Sequence, residues 1–123
     1  MSTRVIEIND LDEARAALAA IGVDKVGIDL MAPKAVSRAI KLKAVRPVAA
    51  NIIKQEILSF GGEAATAYGS INHSVDATDM LLCGTVKHLN LLIDRLKLHQ
   101  FGLPQIADEL AQVLNNCDSK PGA

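Results

Sequence analysis

Lys54 and Glu56 are the ionisable residues best placed to do chemistry. Both fall in residues 47–60, a segment that opens on Pro47, reads as a helix and is stopped by Gly61-Gly62. On its helical wheel Ala49, Ala50, Ile53, Ile57, Leu58 and Phe60 form an apolar arc. Lys54 projects between Ala50 and Leu58, inside that arc, and Glu56 sits at the other rim. Desolvation of a lysine favours the free amine, the form that reactive lysines use. The competing reading is a snorkelling stem with a wet head, or a structural ion pair, and it is the commoner outcome.

Two turns carry a second kind of chemistry. Met80-Leu81-Leu82-Cys83-Gly84-Thr85 reads as strand, tight turn and helix start, where free N–H groups and the positive helix end can receive an anion. Thr85 can instead cap the helix itself, and capping is the favoured reading. Gly61-Gly62-Glu63 allows positive φ and a close approach of backbone or ligand. One glycine suffices to end a helix, so the second hints at a binding turn.

The remaining polar residues offer less. His88 and His99 share a flank of one helix but stand about 16 Å apart along its axis, too far to share a metal. Cys83 and His88 meet only around that helix start. No Cys-x-x-Cys and no His pair at i, i+4 is present, so no metal is expected. Ser70, His73 and Asp76 share a polar loop whose composition alone explains them. Two distant cysteines, Cys83 and Cys117, are expected as reduced thiols.

These residues must be positioned by an α/β framework. Residues 4–8 (Arg-Val-Ile-Glu-Ile) read as a strand. Asp10 and Glu13 have capping-box spacing for a helix over 11–21, closed by Gly22. Alternation over 25–30 suggests a second strand, and Pro33 opens a short helix near 33–38. Residues 38–45 alternate Ile40, Leu42 and Ala44 against Lys41 and Lys43, a strand with one wet face. After the Lys54 helix come strands at 63–68 and 78–83, with a polar turn over 69–77 between them. A long helix runs to about His99 on a stripe of Val86, Leu89, Ile93 and Leu96. Pro104 opens the last helix, with Ile106, Leu110 and Val113 on its apolar side, ending near Asn115. The expected architecture is a single small α/β domain over residues 1–115. Its mixed sheet of about four to five strands is packed by about four to five helices, and a polar tail covers 116–123. Leu91 and Leu98 lie opposite the core stripe of the long helix. They need a cover, from the last helix or from a partner.

Composition excludes several functions. The 123 residues carry 13 Lys+Arg and 14 Asp+Glu, a net charge of −1 that gives no field to attract nucleic acid. One tyrosine and two phenylalanines leave little to stack on bases. A half-hydrophobic composition argues against disorder. No apolar run reaches the ~18–20 residues of a membrane span, and no signal-peptide pattern opens the chain. The expected location is cytoplasmic, with no membrane partner and no cofactor.

Several of these segments resemble one family. Residues 50–58 (Ala-Asn-Ile-Ile-Lys-Gln-Glu-Ile-Leu) with Gly61-Gly62-Glu63-Ala64-Ala65 resemble the amino-terminal extension of an atypical group of dihydropteroate synthases. So do Thr78-Asp79-Met80-Leu81-Leu82-Cys83-Gly84-Thr85, Gln100-Phe101-Gly102-Leu103 and Met31-Ala32-Pro33-Lys34-Ala35-Val36. The resemblance spans roughly residues 6–114. In that family the extension precedes a TIM barrel that joins a pterin pyrophosphate to 4-aminobenzoate. A barrel needs about 200 residues or more, so no catalytic residue is carried over to this chain. Lys54, Gln55, Glu56, Gly61, Gly62, Glu63, Gly84 and Thr85 match the family and form the candidate ligand-binding set.

Three functions follow. The leading one is a non-catalytic accessory module for dihydropteroate synthase. It would bind that barrel, a second copy of itself, or a small anionic or pterin-like ligand, with Leu91 and Leu98 as interface. The second is a stand-alone enzyme of the same relation, using Lys54 and Glu56 as a proton-transferring pair. The third is a structural homo-oligomerisation domain.

Overall fold

The computed structural model describes residues 2–67 and 76–118. The elements run α1 (Leu11–Ala20), α2 (Lys25–Met31), a 3₁₀ turn (Ala32–Lys34), β1 (Ser37–Val45), α3 (Pro47–Ser59), β2 (Glu63–Thr66), β3 (Thr78–Thr85), α4 (Val86–Leu96) and α5 (Leu103–Asp118). The α/β class holds. The sheet departs from the expectation, because among the described residues it has three strands in the order β1-β3-β2 and both pairings are antiparallel.

Two expected strands are missing from it. Residues 4–8 form no ladder, and Val5 and Ile6 stand exposed. Their β-branched composition fits a pleated surface, but no neighbouring edge takes them. Residues 25–30 are helical instead. Asp24 caps α2 by accepting from the Gly27 N–H, a start signal that outweighs a six-residue alternation.

The helix ends follow their local chemistry. Asp10 accepts from the Glu13 N–H at 2.8 Å, while the Glu13 carboxylate reaches back to the Asn9 N–H, one residue beyond the capping-box partner. Gly22 has φ +89, and the Gly22 and Val23 N–H groups donate to the Ala19 and Leu18 carbonyls, a Schellman ending. The expected helix near Pro33 contracts to the 3₁₀ turn. The last helix continues to Asp118, so residues 116–118 of the expected tail are helical.

One face of the sheet is covered and the other is open. Ile40, Leu42 and Val45 of β1, Ala64 of β2 and Met80 and Leu82 of β3 point into the main core. Against them pack Ile53 and Ile57 of α3, Leu89, Leu92, Ile93 and Leu96 of α4, and Leu103, Ala107, Leu110 and Leu114 of α5. Each fully buried aliphatic side chain contributes about 2 kcal/mol. Lys41, Leu81, Cys83, Ala39, Glu63 and Ala65 line the uncovered face. On α5 the buried stripe is Leu103, Ala107, Leu110 and Leu114; of the expected residues Leu110 is buried, Ile106 is half-buried and Val113 is exposed, their places taken by Ala107 and Leu114. Ala44 also departs from its expected place. A bulge at Lys43-Ala44 shifts the β1–β3 register, turns Ala44 outward at φ +56 and brings Val45 into the core. Asp79 holds the bulge by accepting the Ala44 N–H at 2.9 Å.

A smaller cluster joins the N-terminal helices to the rest. Ala14, Ala32, Val36 and Val86 are buried together, with Ile8, Leu11, Leu18 and Ala35 against them.

Candidate functional site

The strand register builds the candidate site. Across the sheet Ala39 stands beside Cys83 and Cys83 beside Glu63, while Arg38 pairs with Gly84 and Ser37 with Thr85. The start of β1, the turn after α3 and the junction of β3 with α4 therefore converge at one end of the sheet. They enclose an open cavity of about 520 Å³, closed on one side by His88 from the first turn of α4. Five of the eight sequence-predicted ligand residues line it: Gly61, Gly62, Glu63, Gly84 and Thr85.

Each glycine has a local reason. Gly61 has φ +96, and the Gly61 and Gly62 N–H groups donate to the Leu58 and Ile57 carbonyls, so Gly61 ends α3 in the same manner as Gly22 ends α1. Gly62 is needed for close packing, since a Cβ there would lie 2.7 Å from Ile57 Cγ1 and 3.1 Å from the Cys83 carbonyl oxygen. The second glycine thus has a packing role that sequence spacing did not reveal. A Cβ on Gly84 would lie 3.2–3.3 Å from the His88 side chain, so its absence lets the imidazole fold back over the β3–α4 junction.

Thr85 and His88 cap α4 reciprocally. The Thr85 hydroxyl oxygen accepts from the His88 N–H at 3.2 Å, and His88 Nδ1 accepts from the Thr85 N–H at 3.1 Å. Histidine here takes the place usually held by Glu or Gln, and the bond requires the tautomer with its proton on Nε2. Nε2 lies beside Gly61, 3.5 Å from where a Cβ would be. Capping is therefore the role the geometry gives to Thr85. Cys83 and His88 both line the cavity. Arg38 was not singled out from the sequence. Its signal was the pairing of β1 with β3, which sequence reading could not register.

The rest of the predicted set lies elsewhere. Lys54 and Gln55 line a separate depression of about 290 Å³ with Asn51 and Leu58. Lys54 is half-buried and Leu58 exposed, so this side of the helical arc is a rim and not core. Glu56 faces the end of α4 and the residues after it, with Arg95 Nε 3.0 Å and His99 Nε2 3.9 Å from its Oε2. The Arg95 guanidinium also sits 5.7 Å from the centre of the Phe60 ring. Lys54 and Glu56 thus look in different directions and form no proton-transferring pair.

Leu91 and Leu98 remain 38 % and 79 % exposed beside a shallow hollow with Phe60, Asp94 and Arg95. The last helix does not provide the expected cover, because α5 packs on the buried flank of α4. Among the described residues no three His, Cys, Asp or Glu side chains group as metal ligands. None of the described helices is long and apolar enough to cross a membrane. Ser70 and His73 lie outside the described residues, as do Tyr68 and residues 119–123.

Comparison with known proteins narrows the relation. No family model matches the chain, and no solved structure matches it. Over 99 residues it is 34 % identical to a bifunctional dihydropteroate synthase/dihydropteroate reductase of Helicobacter pylori, a match covering 80 % of this chain and 26 % of that protein. Over 108 residues it is 30 % identical to a probable bifunctional folylpolyglutamate synthase/dihydropteroate synthase of Halobacterium salinarum, covering 88 % of this chain and 13 % of that protein. The chain therefore spans about a quarter and about an eighth of these two relatives. Both names include dihydropteroate synthase, and this chain is similar to a small part of each protein.

Proposed function

We propose that this chain is a non-catalytic binding module that works beside dihydropteroate synthase in folate biosynthesis. One observation carries the reading. Four fifths or more of the chain matches a small part of two proteins whose names share dihydropteroate synthase and differ in the second activity. The shared activity is the natural associate of a shared region.

The ligand site is the cavity at the end of the sheet. Its open mouth and backbone-lined walls suit a flat heterocycle such as a pterin. Glu63 is exposed there and makes no ion pair among the described residues. Its two carboxylate oxygens complement the paired N–H donors on the amino-pyrimidinone edge of a pterin. The separation of Lys54 from Glu56 favours this reading over a stand-alone enzyme built on that pair.

The test is calorimetric titration of the purified chain with the dihydropteroate synthase of the same cell. A saturable complex supports the module. Absence of a complex at high protein concentration, together with turnover of pterin pyrophosphate and 4-aminobenzoate by the isolated chain, would establish the enzyme instead.

A further inference from the structure

A second cavity, remote from the one above, has the chemistry of an anion site. It encloses about 270 Å³ where the end of β1 and the start of α3 meet the α4–α5 connection. The buried side chains of Val45 and Ala49 form part of its floor. Lys43 and Arg46 stand at its mouth with Glu109, two cations against one carboxylate. None of the three has an ion-pair partner among the described residues. Phe101, 53 % exposed, adds an aromatic wall.

The backbone singles out the same place. Among the described residues, two non-glycine residues adopt positive φ, Ala44 at +56 and Phe101 at +60, and both line this cavity. For a bulky side chain this conformation is an outlier, and such outliers gather at ligand clamps. The bulge at Ala44 lies between the two cations in sequence, and the turn at Phe101 carries the exposed ring. Folding alone gains little from an exposed phenylalanine on a strained turn.

We propose that this cavity binds a small aromatic anion, its ring against Phe101 and its carboxylate or phosphate held by Lys43 and Arg46. The apolar floor receives the flat body and excludes water from one side of the charge contact, which strengthens it. The proposal is independent of the pterin-like site, which lies at the opposite end of β1, at Ser37–Ala39.

The test is amide chemical-shift mapping on the ¹⁵N-labelled full chain. The probes are benzoate and phenylphosphate, with inorganic phosphate (charge without ring) and benzyl alcohol (ring without charge) as comparisons. Saturable shifts at residues 43–49 and 101–106 with either aromatic anion support the site, and the stronger of the two identifies its preferred head group. Arg46→Gln should weaken both aromatic anions about tenfold, and Lys43→Gln about threefold, as loss of a charge-assisted contact does. Phe101→Leu should weaken the aromatic anions about threefold while leaving inorganic phosphate unchanged. Lys43→Gln alters an exposed side chain, so it reports even where Phe101→Leu disturbs the turn. Equal affinity for benzyl alcohol and benzoate would overturn the proposal. So would shifts centred on Gly61–Glu63, or no saturable shift with either anion.

Discussion

Gly62→Ala separates a packing role from a ligand role at the candidate site. The new methyl would sit 2.7 Å from Ile57 Cγ1, 3.2 Å from Ile57 Cδ1 and 3.1 Å from the Cys83 carbonyl oxygen. Ordinary carbon contacts lie near 3.5–4.0 Å, so roughly an ångström of overlap must be relieved. Ile57 is fully buried in the main core and cannot swing aside. The carbonyl belongs to β3, the central strand, and moving it disturbs both ladders. Overpacking of this kind costs about 2 kcal/mol. For a chain of this size that lowers Tm by roughly 8 °C. Thermal unfolding followed by circular dichroism reads the shift directly. In an Ile57→Ala background, which removes both Cγ1 and Cδ1 and leaves the Cys83 carbonyl contact, the penalty should fall by about half. A Gly62→Ala protein that melts within a degree of the parent, or an equal penalty in both backgrounds, would refute the packing argument.

Other expectations follow from the same contacts. His88→Ala should lose about 0.5–1 kcal/mol by removing the acceptor for the Thr85 N–H, whereas His88→Gln, which keeps an acceptor at the third helical position, should recover most of it in denaturant unfolding. Ala44→Gly should raise stability by about 0.5–1 kcal/mol, because φ +56 is costly for alanine and free for glycine; an unchanged or lower Tm would count against strain there. Hydrogen bonds from Arg15 and then Lys25 hold the Asp29 carboxyl below its ordinary value of 3.8. Its folded-state pKa is depressed, so its stabilisation is present above the unfolded value and is lost as pH falls through the folded one. The Tm gap between the parent and Asp29→Asn should therefore be present at neutral pH and close in acid; a gap independent of pH would contradict the assignment.

What the sequence made legible follows the strength of local signals. Prolines and glycines placed α3 and the start of α4 within a residue or two, because Pro47, Gly61 and Gly84 act through their own backbone geometry, whereas α4 ends at Leu96, three residues before the expected His99. The wet face of β1 was legible from Lys41 and Lys43. Residues 25–30 misled because period two over six residues is weaker than an Asp24 cap. Residues 4–8 misled because strand character is completed by a partner, which these residues lack among the described part of the chain. At the site, the glycine turns were found because each has a local signature. Arg38 was missed because its place depends on β1–β3 pairing, a contact 46 positions apart in sequence. Lys54 and Glu56 were grouped by proximity in sequence, yet two residues along a helix turn the side chains about 200° apart, onto different neighbours.

We infer that the end of the sheet recognises a small ring and that the Lys54 rim does not. Titrating neutral, unsubstituted pterin into the ¹⁵N-labelled chain tests it most directly. Saturable shifts are expected at Gly61, Gly62, Glu63, Gly84 and Thr85, abolished by Glu63→Gln with the rest of the spectrum intact. Shifts confined to Asn51, Lys54, Gln55 and Leu58, or a spectrum unmoved by pterin, would contradict it.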